Sequence, residues 1–132
     1  MKLDPRNKEI RIIKRFSRVK GKDILEIGCG SGRLSFPLSK GAKSYVGIDT
    51  DRKAVAEASR RTKTLKNVSF KHGSGAKLAF DDATFDGVFM FMALHEIPPA
   101  KQARTLSEAE RVLKPGGGLV IVEPLPYGEV QS

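Results

Sequence analysis

Glycines stand at alternate positions in Glu26-Ile27-Gly28-Cys29-Gly30-Ser31-Gly32. Residues without a Cβ let the backbone turn sharply and approach a ligand where any side chain would collide. The apolar run 24–27 precedes the loop, and a short helix over 33–40 is expected after it. A glycine loop between strand and helix offers free N–H groups to a carboxylate or a phosphate. The dinucleotide pattern G-x-G-x-x-G needs a glycine where this chain has Arg33, so a nicotinamide cofactor is disfavoured and a ligand without a pyrophosphate fits better. Asp49 closes the next apolar run, 17 residues after Gly32. A carboxylate there either accepts both hydroxyls of a ribose or caps the following helix, and Thr50 and Asp51 can take the capping role instead.

Ligands of parallel sheets bind beyond the carboxyl ends of the strands. After the apolar run 86–91 comes Met92-Ala93-Leu94-His95-Glu96-Ile97-Pro98, and after 119–122 comes Glu123-Pro124-Leu125-Pro126-Tyr127. His95 is the candidate general base, because a neutral imidazole takes a proton near neutral pH. The alternative is a loop histidine bonded for structure. Glu96 reads as solvated, and His72 as a border of the ligand pocket. Two distant histidines and the single cysteine make no metal set, and Cys29 is assigned no chemistry.

These residues need elements to hold them. Apolar residues Ile10, Ile13, Phe16 and Val19 predict an amphipathic helix over 6–20 that Gly21 ends, with Phe16 on its apolar side. Strands are expected at 24–27, 45–48, 68–71, 86–91 and 119–122. Ala54, Val55 and Ala58 give a helix after the second strand its inner face. Pro98 and Pro99 open another, which Lys114-Pro115-Gly116-Gly117 stops. Alternating helix and strand predicts an α/β fold: a Rossmann-like three-layer sandwich, a mostly parallel sheet of about five strands with helices on both faces.

At 132 residues the chain has room for a single domain, 1–132, with a core of its own. No stretch approaches the roughly 20 apolar residues of a membrane helix, so no membrane partner is expected. One cysteine fits a reducing, cytoplasmic setting. The net charge of +9 is concentrated in residues 1–22, which carry nine basic side chains against two acidic ones. Lys8, Arg11, Arg15 and Arg18 recur at helical spacing, forming either a solvated face or a surface for nucleic acid.

The set L-E-I-G-C-G-S-G-R-L, V-G-I-D, F-D-G-V and R-V-L-K-P-G-G-G-L-V-I-V resembles the Rossmann-fold S-adenosylmethionine-dependent methyltransferases, over residues 20–124 in order and spacing. The resemblance implies S-adenosylmethionine as cofactor, with Glu26, Gly28, Cys29, Gly30 and Gly32 around its methionine portion. Asp49 would then hold the ribose and Ser74 meet the adenine, with Thr50, Gly75 and Met92 as further cofactor contacts. Many members carry G-D-A after the third strand; here Gly73-Ser74-Gly75 stands there, and a neutral hydroxyl predicts weaker cofactor binding. The family's sheet has seven strands and this chain supplies five, so part of the acceptor wall is missing.

The expected activity is methyl transfer to an unidentified acceptor, a small molecule, with a non-catalytic cofactor-binding module or an RNA methyltransferase as alternatives. Strand 119–122 would then be an uncharged apolar edge. Such an edge calls for cover by residues 123–132, by a homodimer or by a partner protein.

Overall fold

Successive residues of the first and fourth strands bury themselves in different places. Ile24, Phe89 and Phe91 belong to one apolar cluster, while Leu25, Ile27, Val88 and Met90 belong to a second. Period-two alternation with both faces apolar is what a parallel sheet covered on both sides demands. The computed structural model, which describes residues 5–124 and side chains from Lys8 onward, shows this sheet. Its strands are β1 (Asp23–Ile27), β2 (Ser44–Asp49), β3 (Val68–His72), β4 (Phe85–Phe91) and β5 (Leu113–Val122), in the spatial order β3-β2-β1-β4-β5. All four pairings are parallel. The helices are α1 (Pro5–Phe16), α2 (Ser35–Leu38), α3 (Arg52–Arg61) and α4 (Pro99–Val112). Ile13 of α1 and Leu38 of α2 fill the first cluster, and Ala109 and Val112 of α4 fill the second. The α/β sandwich read from the sequence is the fold observed.

Three boundaries differ from the sequence reading. The first helix stops at Phe16 and not at residue 20. Ser17 and Val19 turn inward and the chain runs on to bridge Lys20 with Ala42, a tertiary contact that outweighs helical periodicity. Phe16 is therefore 70% exposed rather than on the apolar side, and Arg18 lies beyond the helix that carries Lys8, Arg11 and Arg15. The helix after the glycine loop is a single turn, Ser35–Leu38, with Pro37 inside it. So short a helix adds little dipole to an anion site. Finally, β5 begins at Leu113, directly where α4 ends. Leu113 pairs with Phe85 and Gly118 with Gly87, so Lys114-Pro115-Gly116-Gly117 form an irregularity within the strand rather than a loop before it. The tail 125–132, named above as possible cover for this strand, lies outside the described residues.

Beneath the glycine loop, Glu26 is 2% exposed. Its Oε1 accepts hydrogen bonds from Ser35 Oγ at 2.6 Å and Tyr45 Oη at 2.8 Å. β1, β2 and α2 are thereby joined by one buried acid. Burial pushes the Glu26 carboxyl above its ordinary range, against the opposing pull of those two donors. The fold thus keeps a proton that the unfolded chain releases. Its contribution to stability is full below the ordinary value of 4.5 and is lost as pH rises through the higher folded value. Glu26→Gln, which keeps an acceptor for both hydroxyls, should match wild type in urea unfolding near pH 4 and exceed it near pH 8. An identical difference at both pH values would show that Glu26 does not titrate with folding.

Candidate functional site

A cleft of about 630 Å³ opens at the carboxyl ends of β1, β2 and β4. This is within the range of small-molecule sites. Its floor is the glycine loop. Gly28 has φ +80, and a Cβ there would stand 2.5 Å from the Cβ of Ala93, so the turn closes only on glycine. Gly30 has φ +55 and nothing within 4 Å of where its Cβ would be, which leaves the backbone open to a ligand. The carbonyl of Ile48 accepts from the N–H groups of Gly28 and Cys29 at 2.8 and 3.0 Å, pinning the loop to β2.

Asp49 completes that attachment. Its Oδ2 accepts from Gly30 N at 2.8 Å and its Oδ1 from Asp51 N at 2.9 Å. Asp51, and not Asp49, caps α3, accepting from Lys53 N and Ala54 N at 3.0 and 3.2 Å. The cap therefore falls to Asp51 and makes no claim on the Asp49 oxygens. A carboxylate offers about four lone-pair sites, and the two used on backbone leave others for hydroxyls in the cleft.

Gly28, Gly30, Asp49 and Thr50 line the cleft on the β1–β2 side, and Ser74, Gly75 and Met92 line it further on. Ser74 Oγ accepts from Ala76 N at 3.2 Å, which shapes the turn that follows β3. Met92 holds φ +55, a left-handed conformation that costs a side-chain-bearing residue roughly 1–2 kcal/mol. Its N–H donates to Val122 O at 2.6 Å, which holds it there.

Four candidate residues do not line the cleft. Glu26, Cys29 and Gly32 shape the loop from behind. Cys29 is 6% exposed, and burial, reinforced by Glu26 and Asp49, pushes its thiol far above its ordinary range. Such a thiol is unreactive. His95 sits on a single 3-10 turn, Leu94–Glu96, at the rim, where Ala93, Glu96 and Ile97 reach the cleft. Its Nδ1 is 3.1 Å from Glu123 Oε1.

Sequence reasoning missed three contributors. Lys101 and Thr105 of α4 line the cleft, and their helical spacing of four was available as a signal. Arg111, inside R-V-L-K-P-G-G, holds the segment after Ser74. It donates to the carbonyls of Leu78 and Phe80, to Asp82 and to Glu108, while Glu108 Oε1 accepts from Leu78 N at 2.8 Å. Among the described residues no three His, Cys, Asp or Glu side chains converge to hold a metal ion. None of the described helices is long and apolar enough to cross a membrane.

The open glycine cradle, the carboxylate at the end of β2 and the cleft volume fit an adenosyl ligand with an amino-acid tail. Comparison with known proteins agrees. Residues 24–117 match the family described as methyltransferase domain. A demethylmenaquinone methyltransferase from Staphylococcus aureus is 34% identical over 116 residues, which are 86% of this chain and 47% of that protein. The YcgJ protein of Bacillus subtilis superposes with a TM-score of 0.82 at 25% identity, covering 89% of this chain and 50% of that one. A SAM-dependent methyltransferase from Methanosarcina mazei gives a TM-score of 0.72 at 32% identity, covering 91% and 57%. The chain spans about half the length of the curated relatives it matches. It belongs to the S-adenosylmethionine-dependent methyltransferase family.

Proposed function

We propose that the chain transfers the methyl group of S-adenosylmethionine to a small organic acceptor, and that reduced demethylmenaquinone is the first acceptor to try. The observation that carries the reading is the joint attachment of the glycine loop and Asp49 at one end of a cleft whose other end sets apolar side chains beside Glu96 and Lys101. Met92, Ala93, Ile97 and Pro98 line that end. When bound, the cofactor supplies an electrophilic methyl on a sulfonium. The chain's own residues bind and orient: Asp49 toward the ribose, Ser74 toward the adenine, and the residues after β4 toward the acceptor. Aligned contact between a nucleophile and that methyl supplies much of the catalysis. The acceptor follows the printed name of the staphylococcal relatives.

Calorimetric titration with S-adenosylhomocysteine tests the cofactor part. Asp49→Ala should weaken binding by about 1.5–3 kcal/mol, the worth of hydrogen bonds to a charged group. Ser74→Asp should tighten it, since a carboxylate accepts more strongly than a hydroxyl, and Ser74→Ala should loosen it by about 1 kcal/mol. NAD binding with no response to S-adenosylhomocysteine would sink the reading.

A second reading, a cofactor-binding subunit completed by another chain, draws on the open edge of β5. In the described residues the outer edge of β5 has no partner strand, and Leu119 and Ile121 are 38% and 36% exposed. An apolar edge of this kind recruits a strand. A second copy pairing along β5 is the form we favour, and the exposed basic residues Lys8, Arg11 and Arg15 leave an acidic partner such as RNA as the alternative. Light scattering at micromolar concentration should give a mass above one chain, and Ile121→Lys should return it to one. Val120 is unsuitable for that substitution because it packs on the core. A monomer with and without the change would refute the pairing, and turnover by such a monomer would remove the subunit reading as well.

A further inference from the structure

Helix α1 is apolar on two sides. Its inner side is Ile13, 3% exposed, with Ile10 packed against the same cluster. Its outer side carries Ile12 and Phe16, which are 51% and 70% exposed and share a face at a spacing of four. Phe36 of α2, in the same layer, is 47% exposed. Scattered apolar residues at a surface are ordinary, but a second apolar row on one helix marks a surface that meets something. The charges around that row are of one sign. Lys8, Arg11, Lys14, Arg15, Arg18 and Lys22 are exposed, and none is in an ion pair among the described residues. The one acid of α1, Glu9, is taken by Arg33 at 3.0 Å. Beyond the last turn a groove of about 490 Å³ opens toward β5, with Phe16, Phe89 and Val120 among its walls and Arg15, Arg18 and Lys22 as its cations. Its one carboxylate, Asp86, is already engaged, accepting from Asp23 N at 2.8 Å and lying 3.5 Å from Lys114 Nζ.

We propose that the outer face of α1, with the groove beside it, is a docking surface for a lipid bilayer that contains anionic phospholipid. Ile12 and Phe16 enter the boundary between headgroups and acyl chains, while Lys8, Arg11, Arg15 and Arg18 meet the phosphates. Charge alone would also suit a nucleic acid, and the apolar row decides between the two. A phosphate backbone offers an aliphatic side chain nothing, whereas the lipid boundary takes isoleucine and phenylalanine together. A second copy of the chain is disfavoured on this face, because it would set like charges against each other. The want of a spanning helix bears on crossing a membrane and not on lying against one. Since exposed charges are screened by salt, the docking is reversible. Neither Ile12 nor Phe16 lines the cleft, so the face is separate from the site where the cofactor is placed.

The chain has no tryptophan, so Phe16→Trp supplies a single fluorescent reporter. Vesicles of phosphatidylcholine and phosphatidylglycerol in equal parts should shift its emission to the blue, and vesicles of phosphatidylcholine alone should leave it unchanged. In vesicle sedimentation, Arg15→Glu combined with Arg18→Glu should lower binding by on the order of tenfold or more, because each cation near such a surface counts about fivefold. Phe16→Ser should lower it by about tenfold through the lost apolar contact. Raising the salt concentration should release the wild-type chain. All these side chains are exposed, so urea unfolding should be the same in every variant. A single-stranded RNA oligonucleotide should not displace the chain from the vesicles. An emission indifferent to anionic vesicles, equal binding to neutral ones, or binding that Phe16→Ser leaves intact would each overturn the proposal. Displacement by the RNA would overturn it too, and would assign the face to nucleic acid.

Discussion

The N–H of Gly30 donates to Asp49 Oδ2 at 2.8 Å, and much of the cleft follows from that bond. Gly28, Gly30 and Gly32 all have positive φ, so the loop between β1 and α2 has no regular ladder to hold its shape. It is held by β2 instead, through the carbonyl of Ile48 and the carboxylate of Asp49. The register of β1 on β2 sets where those groups stand: Ile27 faces Ile48, so both strands end at the same level. A slip of one residue would turn Asp49 into the core and leave the loop unattached. The buried Glu26 supports the same junction from below through Ser35 and Tyr45. Loop, carboxylate and strand register are one constraint.

The features legible in the sequence are those set by local pattern. Glycines at alternate positions after an apolar run marked the site of the loop, and short apolar runs placed β1 to β4 to within a residue. A cap before α3 was legible at Asp49, Thr50 or Asp51, and the fold assigns it to Asp51. What pattern could not carry was set by contacts across the fold. The end of α1 is decided by Val19 packing on the core and by the bridge from Lys20 to Ala42. The early start of β5 is decided by Leu113 pairing with Phe85, although Pro115 and Gly116 look like a break when read alone. Arg111 and Glu108 read as surface charges of α4 until the fold brings the carbonyls of Leu78 and Phe80 to them. Glu123 is 28 positions from His95 and no spacing rule connects the two.

The two sides of the cleft differ in how they are built. The cofactor side rests on β1 and β2, interior strands flanked by neighbours, and its contacts are backbone groups in fixed register. The side proposed for the acceptor rests on β4 and on β5, whose outer edge is open in the described residues. Met92 keeps its left-handed backbone because its N–H reaches Val122 O, and the His95 turn keeps its place because Glu123 receives it. The anchors are Val122, the last residue of the edge strand, and Glu123, which follows it. Covering that edge and shaping the acceptor site are therefore the same physical task. A chain that pairs along β5 would steady Val122 and Glu123, and through them the residues nearest the acceptor, while leaving the glycine loop and Asp49 untouched. On the proposed reading, the glycine loop and Asp49 would keep their geometry within one chain, whereas the residues after β4 would gain order from a neighbour along β5.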